Sequence, residues 1–234
     1  RNMMKKIIQT FLPIFILSSQ VFAIVGFGAQ FGQSMFSVEE SSPTFSVPGV
    51  TLKNGAYDNA YSVGGYFYID AIPVVDLEVD FNIQGNKYDI NFENALGVKM
   101  APLNFGWGST DVYFTVRKKI IGIGIPFLAK AKLFAGGGYN THLSTPIADE
   151  TMLTNLCDDD LANCDVTSLD ETLKTYLTNK DNYLSSDGFH LQGGLQFKIL
   201  MLDSFLFYRQ VFDDEVIPGA KGFGSLNLRL GMGF

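Results

Sequence analysis

The chain has 234 residues, 47% of them hydrophobic, with 24 Gly, 21 Phe, two Cys and a formal net charge of −7. That is enough apolar material for one sizeable domain, and the acidic balance excludes a nucleic-acid binder, which needs a basic face.

The chain opens with the pattern of an export signal. Met3 or Met4 is the expected start, Lys5 and Lys6 form a basic end, and residues 7–17 are an apolar run. Residues 18–23 then give a small-residue cleavage site with Val21 and Ala23 at the two deciding positions. The run falls short of the ~20 residues a spanning helix needs. No Cys follows Ala23, so lipid attachment there is not expected. The expected organisation is a signal peptide over residues 1–23 and one domain over 24–234, with a balance of −10 once Arg1, Lys5 and Lys6 are removed. An exported chain this apolar, with no other stretch resembling a spanning helix, belongs in the soluble periplasm or in the outer membrane as a closed barrel.

Period-two alternation favours the barrel. Val25, Phe27, Ala29 and Phe31 alternate with Gly26, Gly28, Gln30 and Gly32, a first strand, and residues 33–60 read as a long loop. Val63, Gly65, Phe67 and Ile69 give a second strand, and Pro73 a short turn. Val75, Leu77, Val79, Phe81 and Ile83 oppose Asp76, Glu78, Asp80, Asn82 and Gln84, the clearest amphipathic strand of the chain. Gly85-Asn86-Lys87 reads as a hairpin connection. Beyond it Tyr88, Ile90, Phe92, Leu96, Val98 and Met100 are expected to face out, opposing Asp89, Asn91, Glu93, Gly97 and Lys99.

Residues 102–110, with the single Trp107, read as a turn whose aromatics sit at a membrane interface. Val112, Phe114 and Val116 keep one parity and Ile121, Ile123 and Ile125 the other, so a hairpin turn or a bulge is expected at Lys118-Lys119. A strand ends at Pro126. Phe127, Ala129, Ala131, Leu133 and Ala135 then oppose Lys130, Lys132 and Gly136. Between residues 140 and 188 ten acids face only Lys174 and Lys180, a balance of −8. Within this acidic loop Thr145-Pro146 starts one short helix, and Ser168 with Glu171 forms the capping box of another. Cys157 and Cys164 sit between them and are expected to form a disulfide in an oxidising compartment.

Phe189, Leu191, Leu195, Phe197 and Ile199 oppose His190, Gln192, Gln196 and Lys198, while residues 204–212 are apolar on both faces. In the last strand Leu226, Leu228, Leu230, Met232 and Phe234 oppose Ser225, Asn227, Arg229, Gly231 and Gly233. The count is ten strands, with eight if residues 112–125 are not a true pair, because an even number keeps both termini on one side.

The inward positions gather charge of both signs. Asp76, Glu78, Asp80, Asp89 and Glu93 come from the third and fourth strands, and Arg117, Lys130, Lys132, Lys198 and Arg229 from later ones, with Lys99 between. They describe either a charge-selective pore or a narrow interior filled by paired side chains; the filled interior is the expected one. No zinc spacing, calcium-loop pattern or G-x-S-x-G elbow is present, so no metal, cofactor or catalytic set is expected.

The terminal strand, apolar outside and polar inside and ending on Phe234, resembles the C-terminal assembly signal of bacterial outer-membrane barrels. With the export signal, the mature chain is similar in pattern to small barrels of the OmpA/OmpX type. The resemblance implies an all-β, antiparallel up-and-down transmembrane barrel in the bacterial outer membrane. Its partners would be outer-membrane lipid and lipopolysaccharide, and the barrel-assembly machinery during insertion, with the chain a monomer. The implied function is structural or surface recognition through the acidic loop, or else a narrow diffusion pore. His142-Leu143-Ser144 is similar to the His-x-Ser of outer-membrane lipid A deacylases, which implies a lipid-modifying hydrolase as a third reading, although His142 and Ser144 share the inward parity.

Overall fold

The computed structural model describes residues 24–70, 74–99, 103–125, 128–165 and 169–234. The export signal, Pro73, Met100, Pro102, Pro126, Phe127 and the Ser168 of the capping box lie outside the described residues.

Eight antiparallel strands close into a barrel. They are β1 (Ile24–Val38), β3 (Tyr57–Asp70), β4 (Asp76–Glu93), β5 (Leu103–Ile125), β6 (Ala129–Ser144), β7 (Leu184–Ile199), β8 (Leu202–Phe212) and β9 (Phe223–Gly233). Each pairs with the next, and β9 returns to β1. The short β2 (Thr51–Asn54) extends the wall beside the top of β4. Both ends of the described chain lie at the lower rim, where the connections are short. The longer connections, residues 39–56, 145–183 and 213–222, are all at the upper rim.

Ten strands become eight because two expected turns are strand. The ladder runs straight through Gly85-Asn86-Lys87, which face Gly108, Trp107 and Gly106, so β4 is one strand of 18 residues. At Lys118-Lys119 the phase break is a bulge: Lys119 faces Phe134 and Ile121 faces Leu133, with Ile120 between. Residues 103–110 are the start of β5, a strand of 23 residues, and Trp107 is buried inside the wall instead of lying at an outer interface. The first loop is also shorter than expected, since β1 continues to Val38 and β3 begins at Tyr57.

The register fixes the width. From Ile125 the ladders lead through Ala129, Ile199, Leu202, Met232, Phe27, Phe67 and Val79 back to β5 at Phe114. The return is eleven positions above the start, one of them the bulge. A stagger of about ten over eight strands tilts them about 40° and gives a backbone radius of about 8 Å, room for side chains and little else.

Along β4 the side chains keep one parity while their polarity reverses. Below Gly85, the polar Glu78, Asp80, Asn82 and Gln84 are buried inside, and Leu77, Val79, Phe81 and Ile83 are exposed outside. Above it, Tyr88, Ile90 and Phe92 are buried inside, and Lys87, Asp89 and Asn91 are exposed. The outward placement expected for Tyr88, Ile90 and Phe92 is therefore corrected, and so is the inward placement of Asp89. β5 does the same, with Phe105 and Trp107 inside above and Ser109, Asp111, Thr115 and Arg117 inside below. The lower outer face is largely apolar apart from Lys118 on β5, and Tyr61, Tyr139, Phe189 and Phe212 stand exposed near its upper edge.

An outer face that is apolar below Gly85 and charged above it predicts unequal tolerance on one side of β4. Val79→Arg should cost about 2–4 kcal/mol and Asn91→Arg no more than about 0.5 kcal/mol, read by reversible unfolding in lipid vesicles. Equal costs would remove the boundary at Gly85.

Candidate functional site

Two features of the barrel carry chemistry: a charged knot in the lumen and a cap over the upper mouth.

The knot is built on Glu78 and Asp80. Arg209, opposite them on β8, donates from both terminal nitrogens to Asp80 at 3.0 and 2.7 Å and to Gln192 from Nε and Nη2 at 3.0 and 2.8 Å. Arg229 reaches Asp80 at 2.6 Å and Glu78 at 2.7 Å, and its Nε donates to Gln30. Arg117 lies 3.0 Å from Asp76 and 3.3 Å from Glu78. Gln192 donates to Glu78 at 2.9 Å. Three guanidinium groups thus meet three carboxylates, with the arginines, Glu78 and Asp80 each at most 2% exposed.

Aromatic rings hold the guanidinium planes. Arg209 lies 3.8 Å from the Tyr113 ring centre, Arg229 4.5 Å from Phe207 and 4.9 Å from Tyr66, and Arg117 4.9 Å from both Phe134 and Phe205. Such contacts strengthen when desolvated. Tyr68 crosses the lower lumen to donate to Asp203, and it fits because Gly26 and Gly233 face it; a Cβ at Gly26 would lie 2.1 Å from the ring. With Gln30, Tyr66, Phe134 and Gln192, all eight barrel strands contribute buried side chains to this layer.

Above the knot His142 Nδ1 is 2.8 Å from Asp111, which also accepts from Gln84 at 2.9 Å. His142 Nε2 faces the Asn140 amide nitrogen at 3.0 Å instead of a hydroxyl, and His142 and Ser144 are buried in the lumen, not turned to the outer face. Below the knot Lys132 pairs with Asp70 at 3.2 Å and Lys198 donates to the Gly233 carbonyl, while Lys130 is exposed. Of the lumen charges expected from sequence, Asp76, Glu78, Asp80, Arg117 and Arg229 are brought together. Lys130, Lys132 and Lys198 sit at the lower end. Lys99 is not in the lumen: it lies beyond β4, exposed, 3.7 Å from Glu93. The outward set Leu226, Leu228, Leu230, Met232 and Phe234 is exposed on β9 and after it, with Phe234 stacked on Phe27 at 6.2 Å.

Sequence reasoning missed Arg209, the most fully bonded member. The stretch 204–212 is apolar on both faces because its inward Phe205 and Phe207 are platforms for guanidinium groups. The single charge in that stretch, Arg209, was the available sign of which parity faces in.

The cap comes from the acidic segment. Helix α1 (Glu150–Leu156) and helix α2 (Leu169–Thr178) lie over the mouth. Helix α1 starts later than expected: Asp149 is its N-cap, accepting from the Met152 amide at 2.8 Å, and Pro146 lies outside it. Met152, Leu153, Leu156, Leu169 and Leu173 are buried over an aromatic layer of Phe36, Tyr57, Tyr88, Phe105, Trp107 and Phe223. Each such aliphatic side chain contributes on the order of 1.5–3 kcal/mol when fully buried. Cys157 and Cys164 are bonded to each other, closing the segment between the helices. Glu150 ties α1 to the first loop by accepting from the Ser46 hydroxyl and, at 2.9 Å, its amide; these bonds hold its carboxyl below the usual range. Asp158, Asp159 and Asp160 are exposed on the outer surface of the cap.

Fold and site together define a class: a closed eight-stranded antiparallel barrel with a filled polar lumen, an apolar lower belt and a stapled cap. No protein-family model and no curated protein matches the chain. Solved structures that it resembles are small outer-membrane barrels. The N-terminal β-barrel domain of Pseudomonas aeruginosa OprF is 11% identical, with 90% of this chain and 97% of that one covered and a TM-score of 0.46. Pseudomonas aeruginosa OprG is 10% identical, with 91% and 96% covered and a TM-score of 0.47. Neisserial surface protein A is 12% identical, with 90% and 95% covered and a TM-score of 0.44.

Removing one partner from the knot should be worse than removing a matched pair. Arg209→Met alone should cost about 3–5 kcal/mol, since a buried carboxylate loses its main partner. Adding Asp80→Asn leaves two cations against two acids, and the coupling between the two changes should be about 0.5–3 kcal/mol in a double-mutant cycle. Strictly additive urea unfolding in vesicles would count against the knot.

Proposed function

We propose that this chain is an integral outer-membrane barrel whose work is done at the cell surface by its acidic cap, as a structural or surface-recognition protein, and not by passing solute. The observation that carries this reading is the closed knot: groups from all eight strands fill a lumen of about 8 Å backbone radius. The apolar lower belt supports contact with outer-membrane lipid. Short turns and chain ends at the lower rim then face the periplasm, and the cap faces outward among the lipopolysaccharide headgroups. The outward β9 side chains ending at Phe234 are the part offered to the barrel-assembly machinery, and one copy completes the wall.

The cap presents Asp158, Asp159, Asp160 and Asp181 without a basic residue between the first three. That field suits a cationic partner and repels an anionic one. The aromatic layer and the disulfide keep the surface in one conformation, so binding orders little that is not ordered already.

Planar-bilayer recordings of the refolded chain test this. The intact protein should give no resolvable unitary steps, while Arg209→Ala combined with Phe207→Ala should. Discrete steps from the unaltered chain would overturn the filled-lumen reading in favour of a narrow pore. In the same preparation, dodecalysine should bind with a salt-dependent affinity that falls when Asp158, Asp159 and Asp160 are changed to Asn.

A further inference from the structure

β5 continues below its neighbour. The first residue of β4, Asp76, faces Arg117, so residues 118–125 pair with β6 alone, from Lys118 opposite Ala135 to Ile125 opposite Ala129. Among the described residues no strand pairs with their other side, which leaves a row of open backbone N–H and C=O groups. Exposed apolar edges of this kind recruit another strand, and proteins normally blunt or cover them.

The two faces of this edge differ. Ile121, Ile123 and Ile125 point outward and are 60–76% exposed, Ile123 the most. On the opposite face Gly122 and Gly124 lie against lysine stems: a Cβ at Gly122 would be 3.3 Å from Lys119 Cδ and 3.4 Å from Lys132 Cγ, and one at Gly124 would be 3.1 Å from Lys130 Cγ. Lys132 pairs with Asp70, whereas Lys118, Lys119 and Lys130 make no ion pair among the described residues.

Lipid does not account for the isoleucines. Lys118 stands exposed on the same outward face, directly above them, opposite the outward Ala135. An outward cation is tolerated near the bilayer interface and costly deeper, so Lys118 marks where the hydrocarbon ends. Ile121, Ile123 and Ile125 therefore lie past it, in the headgroups or the periplasm.

We infer that the lower β5 edge, residues 118–125, is a docking strand for an extended polypeptide segment that alternates apolar and acidic residues. Added to this edge, such a segment makes main-chain bonds to β5. Period two puts its apolar residues beside Ile121, Ile123 and Ile125 and its acids beside Lys119, Lys130 and Lys132. A second copy of this chain would instead bring lysines against lysines. The inference rests on the membrane orientation proposed above, but its chemistry is independent of whether the lumen conducts.

The test uses the full chain in lipid nanodiscs and two probe peptides, Val-Glu-Val-Glu-Val-Glu-Val and its lysine counterpart. The acidic peptide should bind saturably and slow hydrogen exchange at the amides of residues 119–125 by about tenfold or more, with the lysine peptide inert. Lys119→Glu with Lys130→Glu should reverse the preference while leaving barrel unfolding unchanged. Three results would each overturn the inference. Neither peptide binds; Ile123→Cys cross-links to itself, which assigns the edge to a second copy; or brominated acyl chains quench a fluorophore on Ile123→Cys, which assigns it to lipid. None of these outcomes bears on the conductance that tests the proposed function.

Discussion

A lumen about as wide as two facing side chains leaves a buried charge no water to turn to, so each must find its counter-charge across the barrel. That constraint organises the molecule. Glu78 and Asp80 sit two positions apart on the inner face of β4, and the arginines that answer them come from β5, β8 and β9. Rings on β3, β5, β6 and β8 fill the rest of the cross-section and face the guanidinium planes. The glycines that crowd one face of β1 and β9 belong to the same arrangement, since tyrosine rings from β3 need the space that side chains would take.

Above the knot the strands leave one environment for another without changing conformation. The inner face turns from polar to aromatic at the height where the outer face turns from apolar to charged. The aromatic layer then offers the two helices an apolar floor, which the acidic segment could not have supplied for itself. The cap is thus a second small core built on the first, tied down by Asn54 on the Ala148 carbonyl at 2.8 Å and by Ser46 on Glu150.

Much of this was legible in the chain. Alternation located the lower part of β4, β6, β7 and β9 and their inward and outward residues, because in that zone the inner face is polar and the outer face apolar. The same signal misled at Gly85-Asn86-Lys87. Parity continued there while polarity inverted, and a polar Gly-containing triplet between two alternating runs has the composition of a turn. Trp107 was displaced for the same reason, an aromatic near a boundary being read as outside when it packs on Phe36 and Tyr57 inside. β8 hid its orientation because Phe205 and Phe207 are buried by stacking on cations, a role that hydropathy does not register. The cysteine pair needed only the isolation of two thiols in one acidic segment.

The knot also has a consequence for how the molecule comes to exist. None of its carboxylates is neutralised by neighbours on its own strand alone: Asp80 waits for β8 and β9, and Glu78 for β5 and β9. A sheet that has not yet curled shut carries unmatched charges on the face that is to become the interior. Unmatched charges of this kind are costly wherever water is excluded, whereas the shut form pairs them. Closure of the wall is therefore a cooperative event, completed when Arg229 on β9 meets Glu78 and Asp80.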